Sequence, residues 1–326
     1  MRYRQLGRPG IPGLRVSEIG LGTRGIGGTV WVEDENGNSS PYGFGIPDDE
    51  ESLRTIARAR DLGVNFIMTG PAYGAGHAEE VVGRAVAKDR EHWVVGLLGG
   101  VSVANGRARR DFSAQGMVDG LEASLARLGM ADVDVFMLQG PTAEELGTGE
   151  CLEALERVRR TGRAGFVGID MSGSPGEMEL PIGAGLDILG FRYNIFEPEA
   201  GDWFASAREL GVGVVAEGVL ADGFLAGRFG GPGDFGTDDE RSLMEARRIG
   251  ELIRKAGTLK FLESRRRTLA QAALLYVLAN RGTSVALTGA ATVAQLEEDA
   301  AAGSMEPLDE ETLDHINRLQ RSAFRV

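Results

Sequence analysis

Gly63-Val64-Asn65-Phe66-Ile67-Met68-Thr69-Gly70-Pro71-Ala72-Tyr73-Gly74-Ala75-Gly76-His77-Ala78-Glu79-Glu80 passes from a short apolar strand into a glycine-rich loop and then into a helix that starts at His77. Apolar runs of this kind recur between amphipathic helical stretches, and eight can be counted: 17–23, 65–69, 93–99, 133–139, 164–170, 188–194, 211–218 and 284–289. Near-continuous apolar strands alternating with helices imply parallel strands buried on both faces. Eight such units predict a single-domain (β/α)8 TIM barrel over residues 1–326. Thr142-Ala143-Glu144-Glu145 and Thr292-Val293-Ala294-Gln295 have the form of capping boxes and mark helix starts. Two segments exceed ordinary loop length, one near 25–48 with Trp31, Tyr42 and Phe44, the other near 229–238. A barrel places both at the C-terminal ends of strands, where substrates bind, so they are expected to be active-site loops.

The 326 residues are 42% hydrophobic and 25% charged, an ordinary globular composition. Forty-eight acids against 35 bases give a net charge of −13, which argues against binding to nucleic acid or anionic membrane. The expected partner is a small-molecule substrate, with the chain a monomer or small homo-oligomer. Cys151 excludes an intrachain disulfide and sits in a helical run, where it reads as a small buried residue. No stretch has signal-peptide or membrane-span form, so a cytoplasmic location is expected. No His, Cys or Asp cluster has metal-ligand spacing, so no metal is expected.

Beyond the opening stretch, three others are informative: Arg4-Gln5-Leu6-Gly7-Arg8 with Gly13 to Thr23, Leu220-Ala221-Asp222-Gly223-Phe224-Leu225-Ala226-Gly227-Arg228-Phe229, and Thr288-Gly289-Ala290-Ala291-Thr292-Val293-Ala294-Gln295-Leu296-Glu297-Glu298-Asp299. Together they resemble the aldo-keto reductases almost end to end. The resemblance implies an amino-terminal hairpin and first strand, a loop after strand seven that folds over a cofactor, and a helix start that holds an adenosine phosphate. Members of that family reduce carbonyls with a nicotinamide, using a Tyr as proton donor, a Lys paired to an Asp that tunes it, and a His that orients the carbonyl.

Carried over residue by residue, the proton donor is Tyr73, the Asp position is Met68, the Lys position is Leu98 or, one residue on, Gly99, and the His position is Gln139. Where the resemblance implies contacts to the nicotinamide, this chain has Asp170 on strand five, Gly190 on strand six and Glu217 on strand seven. Gly289, Gln295, Glu298 and Asp299 fall at the adenosine end and would bind a dinucleotide if one is retained, while Ala291 offers no grip on a 2′-phosphate. Losing Lys and Asp together is self-consistent, because either one alone would be an unpaired buried charge.

These substitutions, together with the carboxylates gained at Asp170 and Glu217, lead to an expectation of non-redox acid/base chemistry on a small polar metabolite. Tyr73, Gln139, Asp170 and Glu217 would be catalytic, Arg24, Trp31, His77 and Arg192 would bind substrate, and no cofactor would be needed. One alternative is an NAD(P)H-dependent carbonyl reductase with Tyr73 as proton donor, using NADP(H) or NAD(H). Another is a binding or regulatory protein without turnover.

Overall fold

The computed structural model describes residues 1–7, 13–171 and 185–325. Eight strands close into one barrel: β1 (Ile19–Gly22), β2 (Phe66–Thr69), β3 (Val94–Gly99), β4 (Val133–Gln139), β5 (Ala164–Asp170), β6 (Ile188–Arg192), β7 (Gly213–Glu217) and β8 (Val285–Thr288). Every pairing is parallel, and β8 returns to β1 with Ala286 opposite Ile19 and Thr288 opposite Leu21. The chain is therefore a (β/α)8 barrel, and the eight apolar runs are its strands. Two boundaries move for local reasons. Ser17 belongs to an antiparallel amino-terminal hairpin, Tyr3–Leu6 with Leu14–Ser17, and Asn194 leaves β6 to pair with Glu197.

Helix starts follow the capping signals. Thr142 and Glu145 close a complete box, whereas Thr292 caps the helix Val293–Ala301 by accepting from Gln295 N while the Gln295 side chain accepts from Ala291 N instead. Alternation along each strand sorts the core into two layers. Phe66, Met68, Val94, Leu98, Val135, Met137, Ile188 and Val215 fill the barrel interior, with Leu6 and Val16 of the hairpin among them. Ile67, Val95, Leu97, Phe136, Val167 and Val214 face outward against the helices. Cys151 is fully buried in that outer layer. No helix among the described residues is long and apolar enough to cross a membrane.

The long segments are structured. Residues after β1 make a helical turn, Arg24–Gly27, and a hairpin of Val30–Glu33 with Ser39–Tyr42. They are tied to the loop after β7: Thr29 Oγ1 donates to Asp238 O at 2.6 Å, Gly43 N donates to Glu240 at 2.9 Å, and Phe44 bridges Asp239. A third insertion, Val101–Ala104 with Arg107–Arg110, follows β3. Its turn is Asn105-Gly106, with φ of 53° and 71°, the dipeptide that tight hairpins select.

Tyr73 opens the loop after β2, and two glycines set where that loop sits. A Cβ on Gly27 would lie 2.6 Å from Tyr73 C, and one on Gly74, where φ is 62°, would lie 1.9 Å from Gly27 O. The backbones touch only because neither residue has a side chain. Gly74→Ala is expected to destabilise the protein by about 3 kcal/mol or more, read as a lower urea midpoint at unchanged slope; a loss under about 0.5 kcal/mol would contradict this packing.

Candidate active site

Strand alternation points Gln139, Asp170, Arg192 and Glu217 inward at the C-terminal ends of β4 to β7, Gln139 opposite Asp170, Asp170 opposite Gly190, and Arg192 opposite Glu217. Beside them opens a cleft of about 470 Å³. One end is lined by Met68, Tyr73 and Glu217, the other by Thr288, Gln295, Glu298 and Asp299, and the loop from Gly218 to Phe229 forms one wall. Gly22, Gly25 and Gly289 line it without side chains, and a Cβ on Gly289 would meet nothing within 4 Å.

At the first end Met68 and Leu98 are almost wholly buried and share the interior layer. Gly99 faces the other way, since a Cβ there would lie 2.4 Å from the outward-facing Phe136. Of the two, Leu98 is therefore the residue of β3 that faces the barrel interior. No cation stands at either position. Burial, then the field of Glu217, push the Tyr73 phenol above its usual value, with Arg24 opposing.

Glu217 leans from β7 across β6. Gly190 makes the room, because a Cβ there would lie 2.9 Å from Glu217 Oε1 and 3.2 Å from Asp170 Cα. Glu217 Oε1 and Gln139 Oε1 are buried without a hydrogen-bond partner among the described residues. Burial first, then Asp170, hold the Glu217 carboxyl well above the usual carboxylate range, while Arg192 pulls it down. Arg192 is itself committed elsewhere, donating to Glu197 at 2.7 Å and to Asp222 at 2.9 and 3.3 Å. Arg24 likewise donates to Glu240 at 2.6 Å and lies over the Tyr42 and Phe44 rings.

At the far end Thr288 donates to Asp299 at 2.5 Å, Arg228 pairs with Glu298, and the helix Val293–Ala301 presents its first turn. Burial pushes Asp299 up to about 7 despite the Thr288 hydrogen bond.

Two expected substrate contacts lie elsewhere. Trp31 stands on the outer hairpin, 49% exposed, and does not line the cleft. Its hairpin packs sideways on the Arg107–Arg110 strand, so only Tyr42 and Phe44 of that segment's aromatics are covered. His77 turns outward, with Nδ1 3.0 Å from Gly27 O and Nε2 3.0 Å from Asp49, and helps hold the Tyr73 loop. Sequence reading missed Asp222, Glu240 and Arg241. The first two anchor Arg192 and Arg24 from about 30 and 216 residues away, and Arg241 lies over the rings of Phe44, Phe229 and Phe235. Such partners leave no local signal. Among the described residues no three His, Cys, Asp or Glu side chains are grouped to hold a metal ion.

The barrel's cleft thus joins a phenol at the strand ends to a helix start. The aldo/keto reductase family model matches residues 18–321, so the chain belongs to that family. It is 27% identical to the aldo-keto reductase YhdN of Bacillus subtilis (strain 168), over 87% of this chain and 84% of that one. Among solved structures it resembles a glycerol dehydrogenase from Gluconobacter oxydans, with a TM-score of 0.79 at 25% identity over 99% and 97% of the two chains. It also resembles an aldo-keto reductase from Bacillus halodurans in holo form, with a TM-score of 0.77 at 25% identity over 98% and 96%. These relatives are reductases and dehydrogenases, which overturns the expectation of non-redox acid/base chemistry. The substitutions at Met68, Leu98 and Gln139 argued for that expectation, but they leave both the cleft and Tyr73 in place.

The raised Asp299 has a sign that can be checked. Its carboxyl binds a proton more tightly folded than unfolded, so its contribution to stability is full below about pH 4 and is lost as pH rises through about 7. Asp299→Asn keeps an acceptor for Thr288 and should raise the melting temperature at pH 8 while changing it little at pH 4. An equal shift at both values would show that Asp299 is not titrating in this window.

Proposed function

We propose that this chain is a nicotinamide-dependent oxidoreductase that interconverts small carbonyl compounds and alcohols, with Tyr73 supplying the proton in reduction. The observation that carries this reading is the glycine-lined cleft that runs from Tyr73 to the start of the helix Val293–Ala301. Its helix start suits a dinucleotide, whose phosphates favour a helix N-terminus. The redox end must lie where a substrate can meet a proton donor, and in this cleft that end is the one with Tyr73. The adenosine end then falls at Gly289, Gln295, Glu298 and Asp299. The nicotinamide, when bound, supplies hydride.

The protein's own contribution is positional. Tyr73 holds a proton at every ordinary pH and gives it up only to a stronger base, the alkoxide that forms as a carbonyl accepts hydride. Gln139, whose carbonyl oxygen lacks a partner among the described residues, can orient a substrate hydroxyl through its amide. Met68, Leu98, Phe44 and Phe229 supply apolar surface around the site, which strengthens each remaining polar contact. Without a lysine beside it the phenol is a weak base, so reduction is the easier direction. The kinship with a glycerol dehydrogenase supports small hydroxylated substrates.

At the adenosine end the one arginine, Arg228, is already paired with Glu298, and Asp299 adds a second acid. That balance suits a free ribose hydroxyl and opposes a 2′-phosphate. Calorimetry should give NAD(H) binding about tenfold or more tighter than NADP(H); the reverse order would refute this assignment. A panel of small aldehydes, ketones and polyols, followed by nicotinamide absorbance, should find turnover. Tyr73→Phe should lower kcat by about 100-fold or more with nucleotide affinity little changed. Full activity in that variant would remove Tyr73 from the mechanism.

A further inference from the structure

Two residues lining the cleft carry a buried side-chain atom without a hydrogen-bond partner among the described residues, Arg24 at Nε and Glu217 at Oε1, and of the two only Glu217 can accept or oppose a positive charge. Glu217 lines the same end of the cleft as Tyr73. The arginine facing it across the β6–β7 ladder, Arg192, directs its hydrogen bonds to Glu197 and Asp222 and acts on Glu217 only through space. Asp170, 3% exposed, places a second carboxyl on the same inward face, across Gly190. The unpartnered Glu217 oxygen, with the field of Asp170 acting on its carboxyl, is a place that a cationic group would relieve.

Under the reading above, the redox end of the cofactor lies here, and its two states differ in charge, cationic when oxidised and neutral when reduced. We propose that Glu217 is the counter-charge of the oxidised nicotinamide ring, so that this chain binds oxidised dinucleotide more tightly than reduced. A hydrogen bond from Glu217 to the carboxamide would act on both states alike; a charge opposite the ring does not. The same preference makes the bound reduced form a stronger hydride donor. As a carbonyl carbon accepts hydride with its electron pair and the carbonyl oxygen takes the Tyr73 proton, positive charge develops on the ring, and Glu217 stabilises it.

A second consequence concerns protons. The groups facing Glu217 are Asp170 from β5, Arg192 from β6 and Tyr73 from the loop after β2. Burial, then Asp170, raise the Glu217 carboxyl well above the usual carboxylate range, so it holds its proton to higher pH than a free carboxyl does. A cation beside it lowers that titration range again, so across a pH series binding of the oxidised form passes through a window of proton release that binding of the reduced form lacks.

Calorimetry on the full chain with NAD+ and NADH tests both points. Wild type should favour NAD+ by about tenfold or more, and Glu217→Gln, which keeps the volume, should bring the two affinities within about threefold. Titrations across a pH series, in two buffers of different ionisation enthalpy, should show proton release with NAD+ alone, and none in the variant. Unchanged affinity ratios in folded Glu217→Gln, or equal proton exchange for both nucleotides in wild type, would overturn the proposal and leave the cofactor reading standing. Binding of neither nucleotide to wild type would overturn the cofactor reading and this proposal with it. The proton measurement on wild type decides the matter even where the variant does not fold.

Discussion

In β5 the inward face reads Phe166, Gly168, Asp170, and in β7 it reads Gly213, Val215, Glu217; the outward face of each is apolar and packs on helices. Parallel strands in a closed barrel have no freedom in this parity, because a slip of one residue would exchange the two faces along the whole strand. Everything distinctive about the site depends on that constraint. The lower layers of the interior are filled with side chains, so only the last inward residue of each strand reaches the mouth. Gly22 and Leu287 are so placed on β1 and β8, and Met68, Leu98, Gln139, Asp170, Arg192 and Glu217 on β2 to β7, which supply the polar groups of the mouth.

The electrostatics of that layer follow from who is satisfied elsewhere. Arg24 and Arg192 could have neutralised the acids of the mouth, but the loops after β6 and β7 supply Glu197, Asp222 and Glu240 to hold them. Glu217 is left leaning over Gly190 toward Asp170. Burying a carboxyl without a hydrogen bond is unfavourable by about 1–3 kcal/mol or more, a tension the fold tolerates at a functional site. The phenol of Tyr73 feels the same field and is held neutral. The mouth thus holds the Tyr73 proton tightly, in place of a lysine that would draw it off.

Much of the barrel was legible in the chain. Eight apolar runs, two threonine helix starts and the glycine-rich loop after β2 locate strands, helices and Tyr73, because period and capping are local properties. The resemblance, not strand parity, pointed to Met68, Gln139, Asp170 and Glu217, and the structure adds that Leu98 faces the barrel interior while Gly99 faces outward. Trp31 and His77 misled, since an aromatic in a long loop and a histidine at a helix start do not reveal which way they face. The hairpin at Val101–Arg110 was overlooked although Asn105-Gly106 announces it. The reaction class was misjudged for a different reason. Lost side chains say which interactions are absent, while the shape of a cleft, made by backbone and by residues far apart in sequence, says what still fits.

The wall that joins the two long loops has a consequence for how the protein is made. Its bonds link Thr29 to Asp238, Gly43 to Glu240 and Arg24 to Glu240, segments 209, 197 and 216 residues apart. Closing loops of that length in an open chain loses far more conformational entropy than a few surface bonds return. The wall can be raised only after β1 and β7 have been brought near each other by the barrel itself. An amino-terminal half-barrel, complete in its own strands, would therefore have no side to its cleft, and the ability to hold a ligand arrives with the last turns of folding.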